Sequence, residues 1–373
     1  MYHRILQDVI EKRNNKHKAI IVLGARQVGK TTLIKQILKQ KDYLLLDGDN
    51  PTVRDLLYNP NTEEIKNIIG KHSIVFIDEA QRIHNIGITI KIIIDQLKDV
   101  DIYVTGSSSF YLQNEINEAL TGRKWEYELY PLCWEEIELK EGYLKSLQQL
   151  DNILVYGMYP EVRNKRGDER FVLNQLTSSY LYKDILEFSG IRKPEILQKL
   201  LKALAYQIGN EVKYNELAQL IGVDNETVAR YIQILEQAYV IFRLPPFNRN
   251  LRNEIKRNQK VYFYDNGIRN ALIGNFSPFK IRNDKGALWE NFLISERLKQ
   301  NKYKERFAQM YFWRTKQQQE VDLVEIVDGN ITGFEFKWKA KKNAKLPKTF
   351  VRNYQAKEMI IDKNNFRDFI IIK

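Results

Sequence analysis

The chain has 373 residues, 43% of them hydrophobic, and a formal net charge of +12. That length suits two or three domains with sizeable cores, and the basic balance favours an anionic partner such as nucleic acid, discounted for the chain's general abundance of Lys, Asn and Ile. A single cysteine, Cys133, excludes an internal disulfide framework and a cysteine-based zinc site. No apolar run reaches membrane-spanning length, and polar Asn14 to Lys18 breaks the N-terminal pattern before it reads as a signal peptide. The expectation is a cytoplasmic protein, with a peripheral membrane role left open.

The first strong signal is Ile20 to Leu23, an apolar strand running into Gly24-Ala25-Arg26-Gln27-Val28-Gly29-Lys30-Thr31-Thr32. This is G-x-x-x-x-G-K-[ST] in the strand–loop–helix setting its chemistry requires. Backbone N–H groups of the loop and the open N-terminus of a helix over about 31–40 form a concavity for a phosphate chain. Lys30 would reach the β and γ phosphates of ATP, and the Thr31 hydroxyl would ligate Mg²⁺.

A strand over 43–46 ends at Asp47-Gly48-Asp49. After a polar helix, Ser73-Ile74-Val75-Phe76-Ile77 closes on Asp78-Glu79-Ala80-Gln81. An apolar run closed by two acids reads as a buried parallel strand presenting charge at its carboxyl end. Asp78 would hold Mg²⁺ through water, and Glu79 would polarise the attacking water. A third strand, Asp101 to Val104, leads into Thr105-Gly106-Ser107-Ser108-Ser109, where Ser107 or Ser108 is the candidate γ-phosphate or water sensor and a plain turn is the alternative. Thr121-Gly122-Arg123 precedes an alternating strand, Trp125 to Leu129. Arg123 would neutralise transition-state charge in its own molecule or in a neighbour, unless it is a solvated surface arginine.

These segments, with Tyr156-Gly157-Met158-Tyr159-Pro160-Glu161, resemble the P-loop ATPase superfamily in its AAA-like branch. More closely, they are similar to prokaryotic ATPases that join an AAA domain to a DUF4143 domain. The resemblance runs over nearly the whole chain. It implies an N-terminal ATPase, a helical and winged-helix middle, and a C-terminal nuclease-like domain. Members often carry a second glycine where this chain has Met158, a difference that bears on the loop before Pro160 and not on phosphate chemistry.

Downstream, 170–188 reads as a helix with Tyr180, Tyr182 and Asp184, and another follows Pro194. Leu217, Leu220 and Ile221 suit a short helix broken by Gly222. Asp224 or Asn225 would cap a second helix that turns Val228, Tyr231, Ile232 and Leu235 inward, a helix-turn-helix pattern. Tyr239 to Arg243 and Lys260 to Tyr264 supply wing strands. Between them Arg249, Arg252, Lys256, Arg257 and Lys260 form a basic stretch suited to phosphate contacts. The outer face of the second helix is less suited to DNA, with Glu226, Gln233 and Glu236 around Arg230.

Near the C-terminus, Glu320 to Val327, Asp328-Gly329 and Asn330 to Trp338 read as a hairpin on a type I′ turn. Facing Val327 with Asn330 puts Asp322 opposite Glu335 and Glu320 opposite Lys337, with Val321, Leu323, Phe334 and Phe336 on the other face. Opposed like charges destabilise unless compensated, and a divalent cation would compensate them. Ordinary salt bridges on a solvated hairpin, Glu320 with Lys337 among them, are the plainer alternative.

This hairpin resembles the PD-(D/E)xK nuclease fold. The resemblance implies a second Mg²⁺ site made by Glu290, Asp322 and Glu335, with Lys337 activating water. From Phe336 onward there are eleven Lys/Arg against three Asp/Glu, which suits a phosphate backbone.

The expected fold is multidomain α/β: a parallel P-loop sheet over 1–160, a helical and winged-helix segment over 161–282, and a restriction-nuclease-like domain over 283–373. The expected function is Mg²⁺-dependent ATP hydrolysis coupled to engagement of DNA or another nucleic acid. A nucleotide-switched protein-interaction module and an ATPase-gated nuclease are the alternatives. Oligomeric state is open, since an Arg123 acting in a neighbour would require one.

Overall fold

The computed structural model describes residues 1–13, 17–107, 119–180, 193–248, 259–340 and 344–372. They form two compact units: one is mainly Met1–Pro131, joined by Gln237–Tyr239, and the other starts at Leu132 and takes most of the remainder. No helix among the described residues is long and apolar enough to cross a membrane.

The first unit is built on a five-stranded sheet of β1 (Ala19–Leu23), β2 (Leu44–Asp47), β3 (Ile74–Asp78), β4 (Asp101–Gly106) and β5 (Lys124–Glu128), in the order β2-β3-β4-β1-β5. Every pairing is parallel. Each residue of β1 and β3 is buried, as expected of continuous apolar runs in a sheet covered on both faces. Helices α1 (Ile5–Lys12), α2 (Lys30–Ile37), α3 (Pro51–Leu56), α4 (Thr62–Ile69) and α5 (Ile86–Gln96) accompany it. Because the strands are all parallel, Leu23, Asp47, Asp78, Gly106 and Glu128 end at one edge, whereas Ala19 and Lys124 begin at the opposite one. The ligand crevice of such a sheet lies at the carboxyl ends.

The second unit opens with α6 (Trp134–Glu141), α7 (Tyr143–Gln148), α8 (Leu150–Tyr156), α9 (Pro160–Asn164) and α10 (Glu169–Gln175). The predicted helix of 170–188 is thus α10 followed by a π turn at Leu176–Tyr180; Tyr182 and Asp184 lie outside the described residues. Next come α11 (Pro194–Tyr206), β6 (Glu211–Val212), α12 (Tyr214–Ile221), α13 (Asn225–Gln237), β7 (Ile241–Leu244) and β8 (Gln259–Phe263). The strands form an antiparallel sheet ordered β6-β8-β7. Gly222 ends α12 in the left-handed region, and Asp224 accepts a 2.7 Å bond from the Thr227 N–H at the start of α13. Val228, Tyr231, Ile232 and Leu235 are buried, as the periodicity predicts.

The chain then forms α14 (Asn266–Leu272), α15 (Lys285–Tyr303), β9 (Gln309–Arg314), β10 (Glu320–Val327), β11 (Asn330–Phe336), α16 (Lys348–Tyr354), β12 (Lys357–Ile361) and α17 (Phe366–Ile370), with a sheet ordered β12-β11-β10-β9. The hairpin register is the predicted one, Val327 facing Asn330 and Leu323 facing Phe334. Both turn residues have positive φ, 49° at Asp328 and 78° at Gly329, as a type I′ turn requires.

The unit boundary falls at 131/132 rather than after 160, and the segments divided at 282/283 share one unit. The physical reason is packing. Trp134 sits edge-on to Phe366 and Phe292, with ring centroids 5.1 and 6.3 Å away, which carries α6 into the second unit. Gly157 has φ 73°, and a Cβ there would lie 2.0 Å from Asp265 Oδ1. Asp265 accepts the Met158 N–H at 2.6 Å, and Met158 itself is buried, so the Gly157-Met158 segment docks on the start of α14. Asn291 of α15 bonds both the N–H and the carbonyl of Phe263, at 2.8 and 3.0 Å, stitching β8 to the long helix.

Candidate functional site

The loop between β1 and α2 is shaped by close backbone approach. A Cβ at Gly24 would lie 2.1 Å from the Leu129 carbonyl oxygen, so only glycine fits beside the end of β5. Gln27 and Gly29 also take positive φ, 60° and 98°. Ala25 and Val28 are buried, Arg26 is half-buried, and Thr32 follows on α2. Lys30 is buried, and its ammonium donates to the carbonyls of Gly24 at 3.0 Å and Ala25 at 2.9 Å, arching over the loop that would hold a phosphate chain.

At the neighbouring strand ends the Thr31 hydroxyl donates to Asp78 Oδ1 at 3.0 Å, and Thr105 donates to the same oxygen. Burial raises the Asp78 pKa above the ordinary carboxylate value; the bonds from Thr105 and Thr31 oppose this, while Glu79 and Asp47 add to it. Glu79 takes a left-handed backbone, φ 49°. Its Oε2 accepts the Ser107 hydroxyl at 3.2 Å and the Gln81 amide, and Gln81 also reaches Ser107 Oγ at 2.7 Å. The Ser107 N–H completes the clasp on Gln81 Oε1 at 3.1 Å. Lys30, Thr31, Asp78, Glu79 and Ser107 therefore share one crevice; Ser108 lies outside the described residues. Adjacent hydroxyl and carboxylate donors at Thr31 and Asp78 fit a Mg²⁺ ion carried by a triphosphate.

Arg123 does not join them. Its carbonyl accepts the Ala19 N–H at the start of β1, the sheet edge opposite the loop, and its guanidinium pairs with Asp95 at 2.7 Å. This placement speaks against a role in its own molecule's site and leaves two readings, a surface arginine paired with Asp95 and a role in a neighbour. Sequence reasoning also missed two residues. Arg4 is buried and bonds the Val28 carbonyl of the loop and the Tyr130 carbonyl, both at 2.7 Å. Its signal in the sequence is slight, an arginine at the head of an amphipathic helix. Thr105 had a signal, being a hydroxyl residue at the very end of a core strand.

In the second unit the four predicted acids gather, in company the sequence did not predict. Glu290 of α15 accepts the Tyr262 hydroxyl at 2.6 Å and the Lys260 ammonium at 3.2 Å. Glu320 pairs with Lys260 at 2.5 Å and Arg314 at 3.7 Å, not with Lys337. Lys337 bonds Glu335. Asp322, at a register shift in the β9–β10 pairing, accepts the Phe336 N–H at 2.7 Å. Burial, then Glu290 and Glu335, push the Asp322 pKa well above the ordinary range. Burial alone would lower the pKa of Lys260, but Glu290, Glu320 and Asp322 hold it above its usual value.

Lys260, expected to touch phosphate, is thus 1% exposed and committed to carboxylates. Arg249, Arg252, Lys256 and Arg257 lie outside the described residues. Among the described residues no three His, Cys, Asp or Glu are arranged to hold a metal ion. The second Mg²⁺ site implied by Glu290, Asp322 and Glu335 does not fit this donor set, because an ammonium already stands among the acids.

Comparison with known proteins divides the chain into three segments, with a break between 278 and 285 that brackets the expected 282/283. Residues 16–138 match the family model of an AAA domain, 147–278 that of a domain of unknown function (DUF8612), and 285–370 that of a domain of unknown function (DUF4143). An uncharacterized protein of Mycobacterium tuberculosis is 28% identical over 336 residues, covering 87% of this chain and 72% of that one. An uncharacterized protein of Methanocaldococcus jannaschii is 23% identical over 316 residues, covering 79% and 69%. Among solved structures, the Walker-type ATPase PABY2304 of Pyrococcus abyssi aligns with a TM-score of 0.51 at 16% identity, over 73% of this chain and 96% of that one. Residues 16–138 are therefore similar to an AAA domain and 285–370 to a DUF4143 domain, and the fold is like that of the Walker-type ATPase.

Proposed function

We propose that this chain is a Mg²⁺-dependent ATPase whose nucleotide state controls engagement of a nucleic acid. The observation that carries the catalytic half is the meeting of Lys30, Thr31, Asp78 and Glu79 at the carboxyl edge of one parallel sheet. Lys30 would bind the β and γ phosphates, and Thr31, with Asp78 acting through water, would hold Mg²⁺, which would supply charge neutralisation across the phosphate oxygens. Glu79 positions the attacking water, and Ser107 with Gln81 orients Glu79.

The nucleic-acid half is supported by the net charge of +12 and by the order helix, strand, helix, helix, strand, strand over Pro194–Phe263, the order of a winged helix. A second reading, a nucleotide-switched protein-interaction module, is favoured by the burial of Lys260 and by Glu226 and Glu236 on α13. ATP turnover with and without DNA, and DNA affinity at two salt concentrations, separate the two. A log–log salt slope of about −0.9 per neutralised phosphate supports the first. No salt slope, with one protein retained only in the ATP or ADP state, supports the second.

A further inference from the structure

We propose that the acidic cluster of the C-terminal sheet is an ionic lock closed by Lys260, and that this domain therefore takes no divalent metal and has no metal-dependent cleavage. The proposal stands independently of the ATPase reading. Lys260 lies on β8, the central strand of its sheet, paired with Glu211 on one side and Leu244 on the other. Its side chain leaves that sheet to meet Glu290 of α15 and Glu320 of β10. Tyr262, two residues along and so on the same face, donates its hydroxyl to the same Glu290 oxygen at 2.6 Å. One wing-side strand thus supplies two donors to an acid that a metal would need bare.

The other acids are similarly engaged. Asp322 Oδ2 receives the Phe336 N–H, Glu335 receives Lys337, and Glu320 has Arg314 within 3.7 Å of its second oxygen. Mg²⁺ demands near-octahedral oxygen ligands at about 2.0–2.1 Å and gives up water reluctantly. Entering here, it would displace these donors and lie beside a buried ammonium of like charge. The ammonium already supplies the compensation that opposed carboxylates require. Its placement also binds three elements, β8, α15 and β10, into one unit. Breaking a buried pair by removing one partner strands the other charge, so the lock is expected to be strong.

The test uses the full chain without nucleotide, carrying Asp78→Asn to silence the ATPase metal ligand. Titrated with Mn²⁺ and followed by electron paramagnetic resonance, it should show no bound ion that Glu290→Gln removes. Lys260→Met should lower the melting temperature by roughly 6 °C or more. Lys260→Arg should lose less than half as much, and Lys260→Met with Glu290→Gln should lose less than the two singles together. An unfolded Lys260→Met chain also supports the lock, and the Mn²⁺ titration then decides the metal question. A stoichiometric Mn²⁺ site lost on Glu290→Gln or Asp322→Asn would overturn the proposal. So would Mg²⁺-dependent nicking abolished by Asp322→Ala, or an additive Lys260–Glu290 cycle.

Discussion

Arg4 offers a way to perturb the phosphate loop without touching a residue that meets phosphate. Arg4 is 5% exposed, and its guanidinium donates to the Val28 and Tyr130 carbonyls at 2.7 Å each. Hydrogen bonds from a charged group are worth about 1.5–3 kcal/mol apiece. Arg4→Met keeps an unbranched apolar stem but removes both bonds and leaves both carbonyls without this donor. The first unit should therefore lose about 3 kcal/mol.

Val28 belongs to the loop itself, so part of that loss should appear as a looser cradle. The KM for ATP should rise about tenfold, a loop preference of about 1.4 kcal/mol, while kcat changes little because Lys30 and Glu79 remain. Arg4→Lys keeps the charge but loses the two-pronged fork, and should recover only part of the effect. Urea unfolding reports the first quantity and steady-state phosphate release the second. Stability lost with KM unchanged would refute the positioning of the loop by Arg4; both unchanged would refute the whole argument.

Two further outcomes follow from side chains around the sites. Gln81→Ala opens the clasp on Glu79 and Ser107, and should lower kcat about tenfold with KM unchanged, read by phosphate release; an unaltered kcat would mean that Glu79 needs no orientation. Asp284 is bonded to Arg282 at 2.8 Å and Arg269 at 2.5 Å; burial pushes its pKa up, but these guanidiniums bring it down to about 2 from 3.8. A lowered carboxylate pKa stabilises the fold fully above the ordinary value and loses that contribution as pH falls toward 2, so the advantage of the parent over Asp284→Asn, about 2 kcal/mol from this titration, should shrink from pH 4 downward in guanidinium melts. A gap constant through that range would sink the assignment.

How much was legible in the sequence depended on whether neighbours in space were neighbours in the pattern. The hairpin register from Val327–Asn330 to Leu323–Phe334 followed from Asp328-Gly329 alone, because a two-residue turn sets the pairs next to it. The Lys30, Thr31, Asp78 and Glu79 set was readable because parallel strands deliver their carboxyl ends to one edge. The place of Arg123 was not legible in its motif, which sits before a strand rather than after one and so lies at the edge opposite the loop. Lys260 misled for another reason. Counted among nearby basic residues it looked like surface charge, and nothing local shows that Glu290 and Glu320 would meet it. Long-range charge pairing has no period, and Arg4, bonded to carbonyls 24 and 126 residues away, was hidden in the same way.

The central claim is that Glu79 activates water beside a triphosphate held by Lys30 and Thr31. It is tested most directly by Glu79→Gln, which keeps the size of the side chain and removes its charge. Isothermal titration with ATP and Mg²⁺, run beside phosphate release, should show ATP affinity retained and hydrolysis slowed roughly 10²-fold or more. Hydrolysis by Glu79→Gln at the parental rate would contradict the account.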